Sequence, residues 1–217
     1  MAEYARETAL ERVEAILETV ESEEMPVPVR EVWVYGDVAL GLDPVDRLDV
    51  YVTKDVLFHG DDTRADEFEA EYGVAGVGQS VRAEWADRYP EYLRANHNGY
   101  AAPAECLAAH LLPEAEPVHL EVCNTGFEDN VTQRVRGAEA RDAYEEVIDP
   151  RGVCLWVDGQ HSEDALKKLR AGELVFPTLP EALEMLGLDE AAAETAAGTL
   201  RRRRKSQQGS SVRGDVV

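Results

Sequence analysis

The sequence predicts an α+β or α/β domain, and three observations carry that prediction. Four short runs rich in β-branched and aromatic residues read as strands: 31–35, 48–52, Val118–Cys123 and 153–157. Around them, apolar residues recur at helical spacing among charged ones. Apolar residues make up 44% of the 217-residue chain, enough to close the core of one domain, with or without an appendage.

Residues 5–23 open the chain as an amphipathic helix, because Leu10, Val13, Ile16, Leu17 and Val20 form one stripe. Pro26 and Pro28 end it. The first two strands follow at 31–35 and 48–52. Residues 63–72 have helix-forming composition, and the glycine-punctuated GVAGVG occupies 73–78. Ser80 caps a further helix running through Trp85 to near Pro90, and another covers 104–112. VHLEVC alternates as the third strand, 127–147 is helical, and VCLWV at 153–157 is the fourth strand. Ser162 caps a helix closed by Gly172. Thr178 and Glu181 have the spacing of a capping box before 182–186, closed by Gly187. The expected organisation is an N-terminal helix at 1–25, a domain at 26–188, an alanine-rich helix with a basic end at 189–205, and a polar, disordered tail at 206–217.

The charge is the unusual part of the composition. Asp and Glu number 44 against 22 Lys and Arg, a net charge of -22, and only Lys54, Lys167, Lys168 and Lys205 are lysines. So acidic a surface repels itself in dilute buffer; at about 1 M salt the screening length is roughly 3 Å, and most of that repulsion is gone. An acid-rich, lysine-poor surface resembles that of cytosolic proteins from salt-accumulating haloarchaea, which implies a cytoplasmic protein of a halophilic archaeon. It argues against the body of the chain gripping nucleic acid. Cys106, Cys123 and Cys154 are odd in number and widely spaced, which suits a reducing compartment rather than a disulfide framework or structural zinc site. The N-terminal MAEYARETALERVE is acidic and amphipathic, unlike a signal peptide. No apolar run approaches the ~18 residues of a membrane span, so no membrane association is expected.

The stretch VYGDVALGLDPVDRLDVYV, residues 34–52, is a strand, a glycine-bracketed turn and a second strand carrying an acid. Residues two apart on a strand share a face, so Arg47, Asp49 and Tyr51 point one way and Leu48, Val50 and Val52 the other. A guanidinium beside Asp49 pairs with it and takes the place of a metal. Asp46 points to the opposite face unless the strand bulges.

These residues resemble the nucleotidyltransferase superfamily, whose best-known member is DNA polymerase β. The family signature is a strand, a Gly-Ser turn with a second glycine a few residues on, Asp-x-Asp on the next strand, and a third carboxylate on a later one. Gly36 matches the first glycine, Gly41 the second, Asp49 the second Asp, and Glu121 the third carboxylate. The resemblance implies that Gly36, Asp37 and Gly41 form the nucleotide-facing turn, that Asp49 and Glu121 hold Mg²⁺, and that Asp46, Asp49 and Glu121 are the catalytic acids. In such a site the metals neutralise the triphosphate and position the attacking hydroxyl. It further implies an α+β fold with a mixed sheet and flanking helices. Two positions depart from the signature. Asp37 stands where the family has a phosphate-binding serine, and Arg47 where it has the first metal acid, so the match is to a degenerate member. The chain is also similar to small uncharacterised protein families confined to haloarchaea.

Glu121 reads equally as an acid on the solvent face of an edge strand. His119 shares its face, but two ligands do not make a metal site. His59, His97, His110 and His161 are scattered, with His97 in the polar turn NHNG and His161 ending DGQH at a strand end. Cys106 and Cys154 read as core packing. Arg201, Arg202, Arg203, Arg204 and Lys205 give the sharpest charge contrast, since six basic residues and one acid lie beyond Leu200. Such a segment contacts nucleic acid weakly at high salt, meets an acidic partner, or docks on the acidic body. The expected function is a non-catalytic nucleotidyltransferase-like binding or regulatory module with an unidentified protein partner. The alternative is a divergent metal-dependent nucleotidyltransferase using Mg²⁺ and a nucleotide. One contact separates them: an Arg47–Asp49 pair filling the site favours the module, and converging Asp49 and Glu121 carboxylates favour the enzyme.

Overall fold

A mixed six-stranded sheet organises the chain. Its strands are β1 (Val29–Tyr35), β2 (Leu48–Lys54), β5 (Val118–Cys123), β6 (Gly152–Val157), β7 (Gln160–His161) and β8 (Ser211–Gly214), in the spatial order β7-β6-β1-β2-β5-β8. A computed structural model describes residues 4–23, 29–54, 107–108, 110–112, 116–206 and 211–214, with 74–75 and 82–83 as backbone. β1 runs antiparallel to β2 and β6, while β2–β5 and β5–β8 are parallel. β2 and β5 are buried along their whole length, as strands covered on both faces must be. The fold is α+β, with the expected mixed sheet and flanking helices.

Helices cover both faces. α1 (Arg6–Ser22) turns its stripe of Val13, Ile16, Leu17 and Val20 onto a core with Val32, Val34, Val50, Val52, Leu120 and Val122. Its first turn is held from afar, where Arg6 N–H donates to Asp43 Oδ1 at 3.1 Å. α3 (Glu163–Ala171) joins this side through Leu169. The opposite face carries Tyr35, Tyr51 and Cys123, covered by α2 (Phe127–Arg141), α4 (Leu179–Met185) and α5 (Glu190–Ser206). Phe127 centres it, stacked on Trp33 at 4.8 Å and edge-on to Tyr51 at 5.3 Å. Gly152 admits that ring, because a Cβ there would lie 2.9 Å from it.

Several expectations change in detail. α2 stops at Arg141 instead of running to 147, because Asp142 takes a left-handed conformation and its N–H closes onto Ala138 and Glu139 carbonyls. Ser162 precedes α3 but makes no side-chain cap; its N–H donates to Leu155 O at 2.8 Å, tying the residue that follows β7 back to β6. Asp158 and Gly159, both at positive φ, make the two-residue turn between β6 and β7. The capping box at Thr178 and Glu181 forms as expected. β3 (Val74–Ala75) pairs with β4 (Arg82–Ala83), so a strand interrupts the helix expected from Ser80 through Trp85. A cap signal is local, whereas ladder bonds come from a partner elsewhere in the chain. The readings at 63–72, at Cys106 and at His59 and His97 lie outside the described residues. α5 continues past Leu200 through all five basic residues. Within the tail expected to be disordered, Ser211–Gly214 instead supplies β8, whose backbone finds partners on the parallel edge of β5.

Candidate functional site

One row across three strands builds the site. Tyr35 on β1 pairs with Asp49 on β2, and Asp49 pairs in turn with His119 on β5. The next row places Tyr51 beside Glu121, so Asp49 and Glu121 stand on neighbouring strands, on one face, one row apart. The turn after β1 is strongly bent. Gly36 and Gly41 have φ of +69° and +72°, and Leu40 N–H donates back to Gly36 O at 2.9 Å.

Asp49 is 1% exposed, and both of its carboxylate oxygens are taken by guanidiniums. Arg47 Nε donates to Oδ1 at 2.6 Å, and Arg204, from α5, donates to Oδ2 at 2.7 Å. The Arg47–Asp49 pair is the one expected from their shared strand face. Arg204 was not expected, being 155 residues away in sequence. It also meets Asp37 Oδ1 at 3.0 Å and Asp149 Oδ2 at 3.7 Å. Burial works against its charge, but Asp49, Asp37 and Asp149 together hold its pKa above the ordinary value. Gly36 is what lets Arg204 in: a Cβ there would lie 2.6 Å from the guanidinium and 2.7 Å from Asp49 Oδ2.

Asp37 therefore acts as an anchor. One oxygen holds Arg204, and the other accepts from Asp46 N–H at 3.2 Å. Burial pushes its pKa up, partly offset by Arg204. Asp46 contributes this backbone donor while its side chain stays exposed, so it does not join Asp49. Gly41 serves the turn, lying against Gly172.

Glu121 is fully buried and flanked by β2 and β8, so it is neither solvent-facing nor on an edge strand. His119 Nε2 lies 3.0 Å from Oε1, and Arg134 of α2 donates to Oε2 at 2.8 Å. Burial alone would raise its pKa; the hydrogen bonds from His119 and Arg134 outweigh it and bring the carboxyl down to about 2. Asp149 is held likewise, accepting from Arg151 Nε at 2.9 Å and from its terminal nitrogen at 2.8 Å. Asp37, Asp49, Glu121 and Asp149 are thus each held by a guanidinium in a region withdrawn from water, and Arg213 stands a further 3.9 Å from Glu121 Oε1.

A divalent metal does not fit these residues. Every oxygen of Asp49 and Glu121 already accepts from a side chain on this chain, and a cation would have to displace guanidiniums that cannot deprotonate. Among the described residues, no three His, Cys, Asp or Glu side chains gather as a metal-binding group.

Arg134 was not singled out in the sequence, and Arg204 only within a basic segment able to dock on the acidic body, yet both carried a positional signal. In α2 the buried stripe is Phe127, Val131, Val135 and Ala138, and Arg134 falls on it. In α5 the buried Ala193, Ala196, Ala197 and Leu200 continue at helical spacing to Arg203 and Arg204. Both are partly buried, whereas Arg201, Arg202 and Lys205 are exposed. Cys154 is half-buried rather than in the core, and burial pushes its thiol to about 11.

Residues 5–217 match the model of a family described as a family of unknown function (DUF7095). No curated protein and no solved structure matches the chain. No helix among the described residues is long and apolar enough to cross a membrane.

Proposed function

The chain belongs to that family of unknown function (DUF7095), and from its site we propose a non-catalytic, nucleotidyltransferase-like binding or regulatory module. One observation carries the reading: Arg47 and Arg204 occupy both oxygens of Asp49, where a nucleotidyltransferase would hold its metal. Guanidiniums neutralise the buried acids permanently, so the turn at 36–49 becomes a rigid platform instead of a reaction centre. The partner is a protein that meets this turn. Arg201, Arg202 and Lys205, exposed at the end of α5, offer a weak contact to nucleic acid. The acid excess and scarcity of lysine support a cytoplasmic setting in a halophilic archaeon.

The test is calorimetry of ATP and GTP with Mg²⁺ or Mn²⁺ in about 2 M KCl, where surface repulsion is screened. The module is expected to give no metal-dependent heat, in the native protein or in Asp49→Asn. Metal-dependent nucleotide binding that Asp49→Asn abolishes would overturn it in favour of a divergent nucleotidyltransferase using Asp46, Asp49 and Glu121.

A further inference from the structure

β5 is buried along its whole length, with a long partner on one side and a short one on the other. β2 pairs with all of it, from Leu48 opposite Val118 to Thr53 opposite Cys123. β8 covers only the stretch from His119, opposite Ser211, to Val122, opposite Gly214. The backbone of an edge strand is a template for any extended segment. β8 stands last in the sheet with β5 as its one neighbour there, so its release breaks one ladder and leaves those from β7 to β5 intact.

The side chains show the same division. Arg213 stands opposite Glu121, and its two terminal nitrogens each face a different acid. Nη1 lies 3.9 Å from Glu121 Oε1 and Nη2 3.9 Å from Glu146 Oε1, both beyond hydrogen-bond distance, and the side chain stays 28% exposed. Neither acid depends on it. Glu121 keeps His119 at 3.0 Å and Arg134 at 2.8 Å, and Glu146 keeps Arg141 at 3.2 Å. The edge and its acids are therefore built by the rest of the chain, and β8 rests on them loosely. Two carboxylates converging on one register position favour a cation there. A planar guanidinium spans both, which the single ammonium of lysine does not.

We propose that the β5 edge is a docking site for an extended segment of a partner protein, carrying an arginine opposite Glu121, and that β8 occupies this site in cis. A partner strand as long as β5 gains ladder bonds that β8 does not make. The edge lies across β5 from β2, so the site does not depend on a partner meeting the turn at 36–49. β8 competes as a tethered segment at high effective concentration, and weakening it unmasks the edge. Arg213→Glu does so by setting a carboxylate against Glu121 and Glu146, without altering β5. A fluorescein-labelled peptide of residues 207–217 would be titrated by anisotropy into the native protein and this variant in about 1 M KCl. The variant is expected to bind it at least about tenfold more tightly than the native protein, and a peptide carrying Arg213→Glu to bind neither. Equal affinities, no binding by the variant, or no loss with the altered peptide overturn the proposal. So does a native dimer that Arg213→Glu abolishes, because the occupant is then β8 of a second copy. Hydrogen exchange tests the native protein without substitution. Amides of 211–214 are expected to exchange at least about tenfold faster than those of β1, and faster still with excess peptide. Exchange at the pace of β1, unmoved by the peptide, overturns the proposal as well.

Discussion

Glu121 shows how one side chain can be buried and charged at once. Its carboxylate is stable there only because His119 and Arg134 bond it more strongly than burial penalises it. The folded pKa, about 2, lies below the ordinary 4.5, so the folded state binds fewer protons than the unfolded one between those values. The resulting stability, about 3 kcal/mol, is fully present above pH 4.5 and is lost as pH falls toward 2. Urea unfolding across this range should therefore show a steep acid limb that Glu121→Gln flattens. At pH 7 the same substitution should cost about 3–5 kcal/mol, because Arg134 is left buried without its counter-charge. Equal pH slopes in the two proteins would show that Glu121 is solvated in solution. The Arg47–Asp49 pairing was legible from alternation along one strand. The Glu121 partners were only half legible: His119 shares its face, but Arg134 arrives from a helix whose stripe had to be followed past its apolar members.

At the scale of elements, the turn at Gly36 and the end of α5 are one device, since the glycine leaves the space that Arg204 enters. Gly159 provides the control: it too has positive φ, at +85°, but a Cβ there meets nothing within 4 Å. Both Gly36→Ala and Gly159→Ala should lose about 1–2 kcal/mol to backbone strain. Gly36→Ala should lose a further 1–3 kcal/mol or so by crowding Arg204 and Asp49. Chemical denaturation of the two variants measures the gap, and equal losses would mean that α5 does not dock against the turn. Elements carried by local chemistry were readable from sequence: the stripe of α1, the Thr178–Glu181 box and the Gly172 stop. What escaped was decided by distant contacts. The helix with its basic end at 189–205 was expected, but its docking through Arg204 on Asp37, Asp49 and Asp149 is a contact that RRRRK alone does not specify. β8 exists because β5 offers an open parallel edge, which a polar tail does not advertise.

For the whole molecule, two kinds of electrostatics coexist and salt separates them. The surface carries most of a net charge of -22, and its self-repulsion is screened once the Debye length falls to roughly 3 Å near 1 M salt. The cluster around Asp49 lies out of reach of that screening, with Arg204 only 14% exposed and Asp49 1%. Native stability should therefore climb between about 0.1 M and 2 M KCl, each 1 kcal/mol appearing as roughly 2–4 °C in the unfolding midpoint. Equal ionic strengths of gluconate should give most of the same climb, because screening does not depend on anion identity. Arg204→Ala should sit below the native protein by about 3–5 kcal/mol, and that gap should stay constant across the salt series to within ~0.5 kcal/mol. A gap that closes at high salt would place Arg204 at the surface, and the acids of the 36–49 turn would then be open to a metal. A constant gap means that the cations standing at Asp49 are the protein's own at every ionic strength, with the solvent setting only how tightly the acidic shell is drawn around them.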